Sequence, residues 1–295
     1  MSGAVTALIG VDWGTTRLRV MRIDAEGRVQ DRRVDARGAG TLTSADFPQV
    51  LAEVAGDWLE AAPVLICGMA GARHGWADAG YRPCPARIED LARHIVWPEA
   101  GRRIGIVPGV ALRLPDLDDV MRGEETQALG LFGAGKGGLL IAPGTHSKWI
   151  EVEDGVIAAF RTFLTGELFA AVRSATLLGR GMGDPGQDEA AFDQGVVQAL
   201  SDPAVTANLF SVRVRHLSGA LAAEAAADYL SGLLIGAEVA AGRAHRLRSV
   251  VIVGEIHLAE RYRRALGLAG FSSVSLASAE AATAAGLSRI WRAIP

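Results

Sequence analysis

The sequence predicts an α/β protein of two lobes, each opening on the same strand–turn–strand unit. Three observations predict it. Apolar residues make up 49% of 295 positions, enough to fill two cores. Short apolar runs bounded by glycine and aspartate turns alternate with stretches of helical periodicity. The opening unit LIGVDWGTTR (Leu8 to Arg17) is echoed in the second half by LLIAPGTHSK (Leu139 to Lys148).

The first lobe begins with a strand at Ala7 to Val11 and a turn at Gly14-Thr15-Thr16. A second strand around Leu18 and Val20 ends at Ala25-Glu26-Gly27, and a third starts near Val29. Phe47, Val50, Leu51, Val54 and Trp58 then recur at helical spacing, with Ser44 as the N-cap candidate. The strand Val64 to Cys67 runs into the glycine-rich turn Gly68 to Arg73. A short strand, Ile104 to Val107, stops at Pro108-Gly109, and a helix from Glu124 to Phe132 closes the lobe.

The second lobe restarts with Leu139 to Ala142, the turn Pro143 to Lys148, then Trp149 to Val152, an Asp154-Gly155 turn and Val156 to Phe163. Most of the remainder reads as helix, including the Ala- and Leu-rich stretch Ala220 to Ala244. A last strand, Val250 to Val253, leads through Gly254-Glu255 into a helix from His257 to Leu266. No low-complexity linker separates the halves, so the expected lobes are residues 1–137 and 138–295.

Charge excludes some classes of partner. The net charge is -3 with 21% charged residues, and no basic run invites nucleic acid or an anionic membrane. Cys67 and Cys84 are the only cysteines and form no CxxC motif, which fits a reducing cytoplasm. The N-terminal segment lacks a basic n-region, and no apolar run reaches membrane-spanning length. The six histidines, His74, His94, His146, His216, His245 and His257, show no metal-ligand spacing.

The echoed unit suits a nucleoside triphosphate. Glycine lets backbone approach an anion closely, and successive turn N–H groups form an anion-binding nest. Thr15, Thr16, Thr145 and Ser147 add hydroxyls, while Arg17 and Lys148 add positive charge. Asp12, ending a buried strand, can hold Mg²⁺ through water. A single Gly-Thr turn is usually only a hairpin; two copies in matched context point to phosphate, with a cleft between them.

DWGTTR, APGTHSK and the late VGEIHLAERY resemble the two phosphate elements and the adenosine element of the sugar kinase/heat-shock-70/actin superfamily. CGMAGARHGW (Cys67 to Trp76), RGEETQALG (Arg122 to Gly130), APGTHSKW (Ala142 to Trp149) and TFLTGELF (Thr162 to Phe169) together resemble the 2-dehydro-3-deoxygalactonokinase family. The resemblance implies two ribonuclease-H-like lobes with a nucleotide-binding cleft between them. It also implies ATP and Mg²⁺ as cofactors, and transfer of phosphate to the 6-hydroxyl of 2-dehydro-3-deoxy-D-galactonate during galactonate breakdown.

On that resemblance Asp12, Gly14, Thr15, Thr16 and Arg17 hold metal and phosphates in the first lobe. Gly144, Thr145, His146, Ser147 and Lys148 clamp them in the second, and Gly254 borders the adenosine. The segment GEETQALG places a catalytic base at Glu124, with Glu125 as the alternative; both carboxylates also suit the first turn of a helix. Gly68, Gly71 and Arg73 are candidates for the sugar acid, with Arg122 and Arg161 as competing carboxylate partners. Thr165, Gly166 and Glu167 have no clear chemical role beyond a helix start, and Trp13 and Trp149 are expected to wall the cleft or core. Other small-carbohydrate kinases of the superfamily, and a non-catalytic ATP-binding protein, are the alternatives. A homodimer is the default assembly.

Overall fold

The computed structural model describes residues 6–101, 103–114, 117–185, 188–243 and 249–295. In chain order the first half holds β1 (Leu8–Trp13), β2 (Leu18–Ile23), β3 (Val29–Asp35), α1 (Phe47–Ala55), α2 (Trp58–Ala61), β4 (Val64–Gly68), β5 (Tyr81–Pro83), α3 (Ile88–Ala92), β6 (Ile104–Ile106), β7 (Gly109–Leu114), β8 (Leu117–Met121) and α4 (Glu124–Leu131). The second half holds β9 (Gly138–Ala142), β10 (Ser147–Glu153), β11 (Val156–Phe163), α5 (Thr165–Ala175), α6 (Glu189–Ser201), α7 (Val205–Leu217), α8 (Ala226–Ala241), β12 (Val250–Val253), α9 (Ile256–Leu268), β13 (Val274–Ala277) and α10 (Ala279–Arg292).

Two five-stranded sheets share one order. The first runs β3-β2-β1-β4-β6 and the second β11-β10-β9-β12-β13. Both read 3-2-1-4-5 in order of appearance, the arrangement of a ribonuclease-H-like sheet, so the duplication seen in the sequence is present in the fold. β1 pairs antiparallel with β2 and parallel with β4, and β12 runs parallel to β9. Parallel neighbours come with cover on both faces, which is why Leu8, Ile9, Val11 and Trp13 of β1 are all buried.

The chain divides into two compact units. One comprises Met1–Gly138, Ile150–Arg161 and Ala277–Pro295; the other comprises Leu139–Trp149 and Thr162–Leu276. The first run of the first unit ends at Gly138, and the chain then re-enters that unit twice. Its core gathers Ile9, Val11, Trp13, Phe47, Leu51, Trp58, Ile66 and Ile106. In the other unit Leu139, Ile141, Trp149, Phe192, Ile235, Ile252, Tyr262 and Phe271 pack together. The C-terminal helix α10 joins the first unit by lying directly on α4. A Cβ on Gly286 would come within 2.0 Å of the Thr126 carbonyl oxygen, so only glycine permits that backbone approach.

Several local expectations change. The helix after residue 44 starts at Phe47, and its N-cap is Asp46, whose carboxylate accepts from the Thr43 N–H and hydroxyl at 2.7 Å. Gly56, at φ 53°, breaks it before Trp58. The stretch from Ala220 becomes helical only at Ala226, because α7 ends in a turn through Gly219 at φ 76° and Leu221 N–H closes back on Arg215 O. Ala244 and His245 lie outside the described residues. A three-stranded sheet, β5-β7-β8, was not expected. Its strands carry Arg113, Asp118 and Asp119, and lack the apolar alternation by which strands are read. Among the described residues no helix is long and apolar enough to cross a membrane.

Candidate active site

In the first unit three chain segments converge at the ends of β1 and β4. Asp12 stands in register with Cys67, and Trp13 with Gly68. Gly68 adopts φ 88°, and a Cβ there would meet the Trp13 carbonyl oxygen at 2.6 Å. Gly123, at the head of α4, comes within 3.5 Å of the Gly68 Cα when its own Cβ position is built. Asp12, the Gly68 turn and the start of α4 are therefore neighbours.

The Asp12 carboxyl is pushed up by burial, and Arg19 opposes the push by donating Nη1–H to Oδ2 at 2.9 Å. Oδ1 accepts no hydrogen bond from a described residue. The Gly14 to Arg17 turn follows, closed by Gly14 N–H to Arg17 O at 2.9 Å. Ala39 N–H and Gly40 N–H bind the carbonyls of Gly14 and Thr15, each at 2.9 Å, and hold the turn from behind. The side chains of Thr15, Thr16 and Arg17 are left exposed. Trp13 is fully buried against Phe47, with ring centroids 4.6 Å apart, so it belongs to the core.

The two glutamates differ sharply. Glu124 is partly exposed at the first position of α4, and its Oε2 accepts from the Arg122 backbone N–H at 3.2 Å. Glu125 is completely buried. Its carboxylate accepts from Gly123 N–H at 2.6 Å and from the Thr126 hydroxyl at 2.9 Å, capping its own helix. Burial, reinforced by the nearby Glu124 charge, pushes Glu125 up to about 7 from an ordinary 4.5. Burial also raises the Cys67 thiol, with the Asp12 and Glu125 carboxylates adding to the effect.

A carboxyl that binds its proton more tightly when folded favours folding at low pH. Its contribution is full below about 4.5 and declines as pH climbs toward about 7. That shift corresponds to about 3 kcal/mol. Glu125→Gln, which cannot titrate, should therefore gain about 3 kcal/mol on the wild type between pH 4 and pH 8. Urea midpoints at both pH values check this; parallel changes in the two proteins would mean that Glu125 titrates like an exposed carboxyl.

Around the same turn, Gly71 is buried while Arg73 is exposed, with no ion-pair partner among the described residues. Arg161, on β11, is also exposed. Arg122 lies against Gly71 instead.

The second turn is built in the other unit. Thr145 and His146 face outward, whereas Ser147 and Lys148 are buried. The Ser147 hydroxyl donates to Glu238 Oε1 at 2.6 Å, and Lys148 Nζ donates to Thr162 Oγ1 at 2.7 Å. Both side chains thus support the turn from beneath. Glu238 also accepts from Trp149 Nε1 at 2.6 Å, Tyr262 OH at 2.7 Å and the Thr165 hydroxyl. One buried carboxylate ties together β10, α5, α8 and α9. Burial raises its pKa, and the four donors pull against that rise.

Thr165, Gly166 and Glu167 gain a structural role. The N-terminus of α5 rests on the turn, so a Cβ on Gly166 would lie 2.2 Å from Gly144 O. Glu167 N–H donates to Thr145 O at 2.9 Å, and its Oε2 lies 2.6 Å from His146 Nε2. Next to the turn opens a cavity of about 700 Å³, lined by residues that include Gly144, Thr145, Thr165, Phe169, Ser231, Glu255, His257 and Tyr262. Gly254 follows β12 beside Pro143, and its neighbour Glu255 reaches the cavity wall while capping α9. The cavity has the size of small-molecule sites. Phe169 and Tyr262 end the segments TFLTGELF and VGEIHLAERY, yet sequence reasoning assigned them no role, and Ser231 and Glu238 were missed; Glu238 carried a signal as an acid within the apolar run GLLIGAEVAAG.

Among the described residues no group of three or more His, Cys, Asp or Glu side chains could cage a metal. Asp12 alone fits Mg²⁺ that keeps waters and phosphate oxygens in its shell, because one carboxylate oxygen is uncommitted and an all-protein cage is not required.

A family model described as 2-keto-3-deoxy-galactonokinase matches residues 12–290. The chain belongs to this family. It is 36% identical to 2-dehydro-3-deoxygalactonokinase of Escherichia coli (strain K12) over 290 residues, 97% of this chain and 98% of that one. A solved Sinorhizobium meliloti protein assigned the same activity shares 40% identity with a TM-score of 0.85, covering 97% of this chain and 99% of that one. Component A of (R)-2-hydroxyglutaryl-CoA dehydratase from Acidaminococcus fermentans shares only the fold, with a TM-score of 0.54 at 16% identity and coverage of 98% and 99%. The family match spans the first turn, the α4 glutamates and the second turn.

Proposed function

We propose that this protein is an ATP-dependent kinase that phosphorylates the 6-hydroxyl of 2-dehydro-3-deoxy-D-galactonate. The observation that carries the reading is the family match across residues 12–290, which takes in every segment of the sites described above. The geometry supports it with a partly exposed carboxylate at Glu124, a neighbouring Asp12, two glycine-containing turns and a nucleoside-sized cavity beside the second turn.

Glu124 takes the proton from O6 as O6 bonds to the γ-phosphorus, and the β–γ bridging bond breaks to release ADP. Phosphoryl transfer asks chiefly for positioning and charge stabilisation. Thr15, Thr16 and Arg17, with Gly144, Thr145 and His146, provide hydroxyls, N–H groups and positive charge for phosphate oxygens. Ser147 and Lys148 hold the second turn in shape. The cavity takes the adenosine, with Gly254 behind its rim. Gly68, Gly71 and Arg73 border the sugar acid. Asp12 would hold Mg²⁺, which when bound neutralises charge on the phosphates. The first lobe thus carries the sugar-acid site and the second the adenosine site.

The test is coupled ADP release with Mg²⁺, ATP and a panel of sugar acids. Turnover should be highest with 2-dehydro-3-deoxygalactonate and should vanish when Mg²⁺ is chelated. Preference for a different carbohydrate would reassign the substrate. ADP release indifferent to every sugar acid would overturn the reading.

A further inference from the structure

Arg122 precedes the Gly123–Glu124 step, and none of the phosphate chemistry above uses its side chain. The guanidinium is held on three sides. Nη2 donates to Gly80 O at 2.9 Å, the Tyr81 ring centroid lies 4.4 Å from Cζ, and a Cβ on Gly71 would sit 2.8 Å from Nη1. Yet Nε and Nη1 are buried and meet no acceptor, and no carboxylate of a described residue pairs with the cation. Arginine does not shed its charge, so burying unmatched guanidinium donors costs free energy that an incoming anion would recover. The Tyr81 ring that covers the group is itself 41% exposed, so it can move aside.

A rigid cation with spare donors, carried two positions before the Glu124 carboxylate, suits an anionic end of the substrate. We propose that Arg122 binds the carboxylate of the sugar acid, so that Arg122 and Glu124 serve the two ends of one substrate. This rests on the kinase reading above. Arg73, exposed and without a hydrogen bond or ion pair to a described residue that would fix its direction, lacks this preorganisation. Glycine at position 71 is part of the same device, since any side chain there would press on Nη1.

The experiment compares wild type, Arg122→Gln, Arg122→Lys and Arg73→Gln on 2-dehydro-3-deoxygalactonate and on its C1 carboxamide. A hydrogen bond to a charged group translates into about a 10- to 100-fold effect. Arg122→Gln should raise the KM for the acid by about that factor, while kcat and the KM for ATP stay within about threefold. The wild-type preference for acid over amide should collapse toward one in this variant. Arg122→Lys should keep part of the preference, and Arg73→Gln most of it. The acid-to-amide ratio is internal to each protein, so a partly unfolded variant cannot mimic its loss. An unchanged ratio in Arg122→Gln, or its loss in Arg73→Gln alone, would overturn the assignment. Failure of the wild type to phosphorylate the acid would instead remove the substrate reading, and this assignment with it.

Discussion

Glu124→Gln should lower kcat by about 100- to 10,000-fold, the usual worth of a positioned general base. ATP affinity should remain within about threefold, since in the proposed role the carboxylate meets the hydroxyl of the acceptor and not the nucleotide. The choice between the two adjacent glutamates rests on accessibility. Glu125 has no exposed surface, and both a backbone N–H and the Thr126 hydroxyl occupy its carboxylate. A base has to reach the proton it removes, within hydrogen-bond distance or through one water. Glu124 is partly exposed at the same helix start and meets that condition. Glu125 instead holds the Gly123 turn in place and so positions Glu124. Glu125→Gln should accordingly cost less than about tenfold in kcat, since a glutamine oxygen can still accept from Gly123. Single-turnover kinetics on both variants decide the matter. A larger loss in Glu125→Gln than in Glu124→Gln would transfer the role of base to the buried residue.

Glu238→Ala should destabilise the fold by about 4 kcal/mol and weaken ATP binding by at least about tenfold. The carboxylate is nearly inaccessible and is the common acceptor for Ser147, Trp149, Thr165 and Tyr262. Removing it leaves four donors without their acceptor, three of them in buried contacts, and a leftover buried donor costs more than the bond contributed. Glu238→Gln should be far milder, at about 1 kcal/mol. Its amide oxygen can replace Oε1, where Trp149 and Ser147 donate. Its NH₂ can donate to the Thr165 and Tyr262 hydroxyls, because a hydroxyl can turn round and accept while an indole N–H cannot. Denaturant unfolding of the three proteins, with titration of ATP by calorimetry, tests both parts. Equal stability of the alanine and glutamine variants would show that the hydrogen bonds at Glu238 do not hold the second turn.

What the sequence determined by itself was everything with a local signature. Apolar runs ending in glycine turns marked β1, β4, β9 and β12, because a buried strand and a sharp turn are written in adjacent residues. The repeat of the Gly-Thr turn revealed the duplication, and the two sheets share their strand order because both copies fold by the same local rules. Segments spread along the chain were enough to indicate the family. Other features were decided only by tertiary structure. Glu124 and Glu125 are adjacent and chemically alike, and only burial separates one that can meet a substrate from one that caps its helix. Ser147 and Thr145 belong to the same turn, but one hydroxyl faces Glu238, 91 positions away, and the other faces outward. Arg73 and Arg122 carry the same charge, yet only Arg122 is held by Gly80 and Tyr81 with donors unmatched. Solvent exposure and long-range hydrogen bonding are properties of the packed chain. No window of neighbouring residues encodes them, which is why the motifs were legible while the division of labour inside each motif was not.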